Sequence, residues 1–104
     1  MNNTITSEKL AQYFSITKEA LGKVKGNLDP QRKATAADFL DMAQRYYDDA
    51  HYFLEKKQDA VLAFAALNYA HGWLDAGARI GLFKVKDSRL FTVDEETKLG
   101  HRKK

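Results

Sequence analysis

Residues 59–83, DAVLAFAALNYAHGWLDAGARIGLF, constrain this chain more than any other stretch. A long apolar run rich in Ala and Leu, with no proline, is expected to form a helix that other helices cover. Asp59 suits its N-cap, because a carboxylate accepts from the exposed N–H groups of a first turn and complements the helix dipole. The expected helix extends from Ala60 to about Leu82, roughly 23 residues and about 34 Å. Val61, Leu62, Phe64, Leu67, Tyr69, Trp73, Leu74 and Ile80 fall on nearly every side of it, which predicts a central, buried helix. Asn68, His71, Asp75 and Arg79 interrupt the run, so it does not qualify as a membrane span. Spaced by three, four and four, they form one polar stripe. Ala66, Ala70, Gly77 and Gly81 form a second stripe, of small residues, where a neighbouring backbone could come close. Gly72 and Gly77 each cost roughly 1 kcal/mol of helix propensity relative to Ala, which close packing or a kink would offset.

Two amphipathic segments precede this helix. Leu10, Tyr13, Phe14, Thr17, Ala20, Leu21 and Val24 recur at steps of three and four behind a capping Thr6 or Ser7. Gly26-Asn27 ends that segment. Asp29-Pro30 suits the start of a second helix, with Thr35 as a competing start. Ala36, Phe39, Ala43, Tyr46, Ala50 and Phe53 then alternate at three and four, widened by Leu40, Tyr47 and Leu54. The helix is expected to end near Lys56-Lys57. The short linker makes it an antiparallel neighbour of the central helix. After Phe83, the alternation in LFKVKDSRLFTV predicts a small hairpin or an extended arm leaning on the bundle through Phe83, Val85, Leu90, Phe91 and Val93.

With 104 residues the chain is expected to form a single helical domain, 1–104. Residues 1–6 are expected to fray and 94–104 to form a disordered basic tail. The absence of Cys rules out disulfides, thiolate chemistry and Cys-based zinc sites. Without a membrane-spanning segment or a signal-like N-terminus, the expected location is cytoplasmic. The net charge of +3 is unevenly placed: residues 84–104 hold seven basic and four acidic groups, while 60–83 hold one of each. A folded body near neutrality is a poor electrostatic footprint for nucleic acid.

Asn68, His71, Asp75 and Arg79 are the first candidate site. A His oriented by an Asp four residues on, beside an Arg, could move a proton or hold an anion. The same four residues could equally be a structural polar seam. Asp48-x-x-His51 and Asn68-x-x-His71 echo the acid-x-x-His spacing of di-iron bundles, but Asn is a poor ligand and the first segment supplies only Glu8 and Glu19. No metal site and no cofactor are expected. Arg45 and His51 match the loose Arg-x(4–6)-His spacing of small helical RNases of the higher-eukaryote and prokaryote nucleotide-binding type, making them candidate nucleic-acid contacts. Six positions along a helix rotate two side chains by about 240°, so they point apart. Aromatics at helical spacing can serve as base-stacking platforms or as core. Tyr46, Tyr69 and Trp73 are expected in the core, and Tyr52 exposed.

The segments Met-Ala…Tyr-Tyr-x-Asp-Ala…Phe-Leu and Ala-Phe…Asn-Tyr-Ala-x-Gly-Trp-Leu-Asp-Ala-Gly, within residues 39–83, resemble the archaeal family filed as domain of unknown function 357. With the first helix and the arm, the resemblance covers roughly residues 8–93. It implies a compact three-helix bundle with no assigned activity, and it supplies no catalytic residues.

These readings converge on an all-α, antiparallel three-helix bundle with a short C-terminal hairpin-like or extended arm. The function expected is a non-catalytic interaction or accessory module that binds a protein partner or itself. The alternative is a nucleic-acid-acting domain using Arg45 and His51, and after it a small-ligand or metal pocket along Asn68–Arg79.

Overall fold

The computed structural model describes residues 5–87, 90 and 91. Three helices follow in chain order: α1 (Ser7–Lys25), α2 (Lys33–Glu55) and α3 (Ala60–Arg79), with a single 3-10 turn at Pro30–Arg32 leading into α2. They pack as an all-α three-helix bundle. Among the described residues the only β-type pairing is one isolated antiparallel bridge.

The helix starts follow local chemistry. Thr6 Oγ1 accepts from the Lys9 N–H at 3.1 Å, and Asp59 Oδ1 accepts from the Leu62 N–H at 2.9 Å. Asp29 caps the 3-10 turn through the Gln31 N–H at 3.0 Å, with Pro30 at its first position. Helix α2 itself begins at Lys33 with no side-chain cap, between the two expected starts, and Asp29-Pro30 opens the 3-10 turn that leads into it. Of the segment expected to fray, Thr6 is this cap and Ile5 packs on the lower core, while residues 1–4 and 94–104 lie outside the described residues.

Helix α3 ends three residues before the expected Leu82. Gly81, at φ +80°, adopts the left-handed conformation. The Leu82 N–H bonds the Gly77 carbonyl at 2.8 Å, and the Gly81 N–H bonds that of Ala78 at 3.2 Å. This is the paired-bond stop that glycine favours after a helix. Gly81 therefore terminates α3 instead of extending its small-residue stripe.

The stop aims Phe83 back into the bundle. Its ring is 1% exposed and fills the space above Gly77, where an added Cβ would lie 2.3 Å from a ring carbon. Phe83 also bridges Leu28: the Asp29 N–H bonds the Leu82 carbonyl at 2.8 Å and the Lys84 N–H bonds that of Asn27 at 2.7 Å. In its described part the arm pairs with the α1–α2 connection at Phe83, and the Asp87 carbonyl then accepts from the Leu90 and Phe91 N–H groups at 3.0 and 2.9 Å, so the chain turns there. Leu90 and Phe91 are buried in the same cluster as Phe83, Val24 and Leu74.

Helices α2 and α3 pack on each other far more than either packs on α1. Their contact is built of small residues. Ala36, Ala43 and Ala50 on α2, and Ala63 and Ala70 on α3, are fully buried, with Ala66 and Gly77 close behind. Small residues let helix axes approach to the short end of the usual 8–10 Å range and leave no room between them for rings. Large side chains are displaced to the two flanks of the pair. On one flank α1 covers them: Tyr13 packs on Phe64 with ring centroids 4.9 Å apart, and Phe14 on Tyr47 at 5.9 Å. The other flank has no helix over it among the described residues. The molecule is accordingly flat, 40 × 32 × 17 Å.

Candidate functional site

The polar stripe of α3 runs along the border of its buried face. Asn68 and Arg79 are exposed, while His71 and Asp75 are half-buried. One carboxylate oxygen of Asp75 is out of reach of solvent. Burial holds the His71 imidazole below its usual pKa by disfavouring the charged ring, and the Asp75 carboxylate opposes that shift. Neutral at physiological pH, His71 is an acceptor and donor beside a carboxylate. Helix α3 carries no Ser, Thr, Cys or Lys to act as nucleophile alongside it. Among the described residues no three His, Cys, Asp or Glu side chains gather to hold a metal ion.

Arg45 and His51 are not brought together. Arg45 Nε donates to Asp41 Oδ2 at 2.8 Å on an exposed ridge of α2. His51 lies toward α1, its ring centroid 4.5 Å from that of Phe14 and 4.9 Å from that of Tyr47, with Nδ1 3.3 Å from Glu55 Oε2. Asp48, the acidic member of the di-iron-like spacing, accepts from Gln44 Nε2 at 3.0 Å.

The largest departure from the sequence reading is the uncovered flank of the α2–α3 pair. Tyr69, expected in the core, is 62% exposed, the most open large apolar residue described. Leu62, Val61 and Ile80 are also open, so α3 is buried on one side only. Tyr46 and Trp73 are half-buried at the rim, and Tyr52 is exposed as expected. The cause is the alanine seam, which occupies the space between α2 and α3 that the aromatic rings would otherwise fill.

Aromatic contacts order this flank. Tyr46 stacks on Tyr69 with centroids 5.2 Å apart and planes 26° apart, midway along the pair. Phe39 meets Trp73 edge-on at 5.0 Å near one end. Two shallow depressions lie either side of the tyrosine stack. One, of about 410 Å³, is lined by Phe39, Tyr69, Gly72, Trp73 and Ala76. The other, of about 200 Å³, is lined by Tyr46, Phe53, Leu62, Ala65 and Tyr69, with Asp49 at its edge. Across both depressions α3 presents no charged side chain. A surface helix normally places its charges opposite the core. The clue in the sequence was therefore the scarcity of charge in residues 60–83, where one basic and one acidic residue cannot furnish a solvated face.

No helix of the described residues is long and apolar enough to cross a membrane. In comparison with known proteins, the family described as Protein of unknown function (DUF357) matches residues 12–83, from the first turns of α1 to the ring that fills the space over Gly77. No curated protein and no solved structure matches the chain.

Proposed function

The chain belongs to the DUF357 family, Protein of unknown function, and from that premise we propose that it works as a non-catalytic protein-interaction module whose working surface is the open α2–α3 flank. The observation that carries this reading is the row of Phe39, Tyr46, Leu62, Tyr69 and Trp73, with Leu62 and Tyr69 exposed and the other three half-buried, beside an alanine-sealed core. A contiguous apolar patch rimmed by polar groups is how soluble proteins mark a binding surface. Aromatic rings supply much of the energy of such contacts at low entropic cost. The flank has little to offer a phosphate backbone, since none of its lining residues is basic. A cytoplasmic location in an archaeal cell, expected from the sequence, belongs to the same proposal.

The test is photo-crosslinking in the cells the chain comes from, with benzoylphenylalanine placed at Ala65 on the open flank or at Lys18 on the solvent side of α1. Position 65 is expected to yield a discrete protein adduct and position 18 none. Adducts from neither position, or equally from both, would remove the flank as a working surface.

A further inference from the structure

The order of large and small residues along the open flank identifies its occupant. We propose that it is a second copy of this chain, seated face to face through a two-fold axis that passes the Tyr46–Tyr69 stack and lies across the helices. This rests on the interaction reading above and names the partner.

The symmetry can be checked position by position. A two-fold through Tyr69 sets α3 antiparallel to its counterpart, so residues equally distant from Tyr69 face each other. Leu62 and Ala76 lie seven positions either side, and Ala65 and Trp73 four either side. Each large side chain of one copy therefore meets an alanine of the other, twice over. The same axis acts on α2 through Tyr46, with Phe39 and Phe53 seven positions either side. These two rings then face each other at both ends of the interface. The large-to-small matching thus belongs to α3, about the residue that is itself stacked on Tyr46, and α2 adds one aromatic pair at each end.

Area is sufficient. From Leu62 to Ile80 the flank is about 27 Å long, and two helices side by side are about 20 Å wide. That is roughly 500 Å² of projected face per copy, and roughly 1,000 Å² for two, the lower limit of a specific interface. Residues 92–104 are a poorer occupant, because TVDEETKLGHRKK offers only Val93 and Leu99 as large apolar side chains. Two α2–α3 hairpins stacked in this way form an antiparallel four-helix core, with an α1 on each outer face.

Sedimentation equilibrium of the full chain over micromolar to millimolar concentration is the test. A species of twice 11.8 kDa is expected. Ala65→Glu should leave a monomer with an unchanged far-UV spectrum, because residue 65 is only partly buried on the open flank and its charge would be fully enclosed only on association. Leu62→Ala and Ala76→Leu should each weaken association about tenfold, one by opening a gap and the other by placing Leu on Leu. The double variant L62A/A76L restores large against small and should recover most of the loss. A chain that stays monomeric at 1 mM, a dimer indifferent to Ala65→Glu, or a double variant no tighter than its singles would overturn the proposal. The crosslinked adduct separates this failure from that of the broader reading. A hetero-adduct from position 65 with a monomeric chain leaves an interaction module with a different partner, and no adduct leaves neither.

Discussion

Gly77 and Gly22 are both helical glycines, and the structure gives them opposite roles. An added Cβ at Gly77 would lie 2.3 Å from the buried Phe83 ring, whereas nothing lies within 4 Å of the corresponding point at Gly22. The ring cannot yield, because it is held by the Leu28 bridge on one side and the core on the other. Gly77→Ala should therefore destabilise the chain by about 2 kcal/mol through overpacking. Gly22→Ala should stabilise it by about 0.5–1 kcal/mol through helix propensity. Urea unfolding of the two variants at low protein concentration checks both signs, and a stabilised Gly77→Ala would mean that Phe83 does not occupy that space. His71 makes a second residue-scale prediction. Burial depresses its pKa and the Asp75 carboxylate partly restores it, so NMR titration should place His71 below the ordinary 6.5, and Asp75→Asn should take it lower still. A depressed imidazole is neutral when folded, so its stabilising effect is complete above about 6.5 and is lost as pH falls through the folded value. A rise in the His71 pKa on Asp75→Asn would show that the carboxylate does not act on the ring.

The elements joined by the arm can be probed through Asp29. Its side chain is nearly buried and holds three segments in register. It caps the 3-10 turn, and its Oδ2 accepts from Arg32 Nε at 2.8 Å, while Arg32 Nη2 donates to the Ile80 carbonyl at the end of α3, 3.0 Å away. The Gln31 N–H first, then the Arg32 side chain, hold this carboxyl below its usual value of 3.8, aided by the charge of Lys84 and opposed by burial. With a depressed folded pKa, the contribution is present above about 3.8 and disappears as pH falls through the folded value. Wild type should accordingly melt higher than Asp29→Asn at pH 6, with the gap closing below pH 4. A gap independent of pH would assign the effect to shape rather than charge. The caps at Thr6, Asp29 and Asp59 were legible in the sequence because capping is local: the side chain bonds a backbone group two or three residues on. The end of α3 was not, since Gly81 fits a small-residue stripe as well as it fits a left-handed stop. Nor could periodicity separate seam from flank. Ala36-Phe39-Ala43-Tyr46-Ala50-Phe53 reads as one apolar face, yet its alanines are sealed inside and its rings line a border open on one side. The two rows sit about 60° apart around one helix, closer than an apolar stripe is wide. Which row is covered depends on how α3 sits against α2 and on which flank α1 takes, both long-range facts. The polar stripe is conspicuous because its residues are rare in an apolar helix, whereas an open apolar flank has the same composition as an interior face.

At the scale of the whole molecule, 17 Å of thickness means that α1 serves one side of the α2–α3 pair and the other side faces water. An isolated copy therefore keeps Leu62 and Tyr69 wet, and burying them gains roughly 25 cal/mol per Å² of apolar surface. If a second copy supplies that burial, folding and association are linked: whatever binds the folded state and not the unfolded one raises the melting temperature with its own concentration. A tenfold rise in protein concentration adds about 1.4 kcal/mol per dimer, or about 0.7 kcal/mol per chain, once the dimer predominates. For a domain of this size that corresponds to a shift of about 3–5 °C. Calorimetric melts of the wild type at 20 and 200 μM should differ by that amount. Those of Ala65→Glu should coincide, because its charge closes the flank to a second copy while leaving α1, the alanine seam and the Phe83 contact untouched. Coincident melts for both proteins would assign the flatness of the fold to the single chain alone.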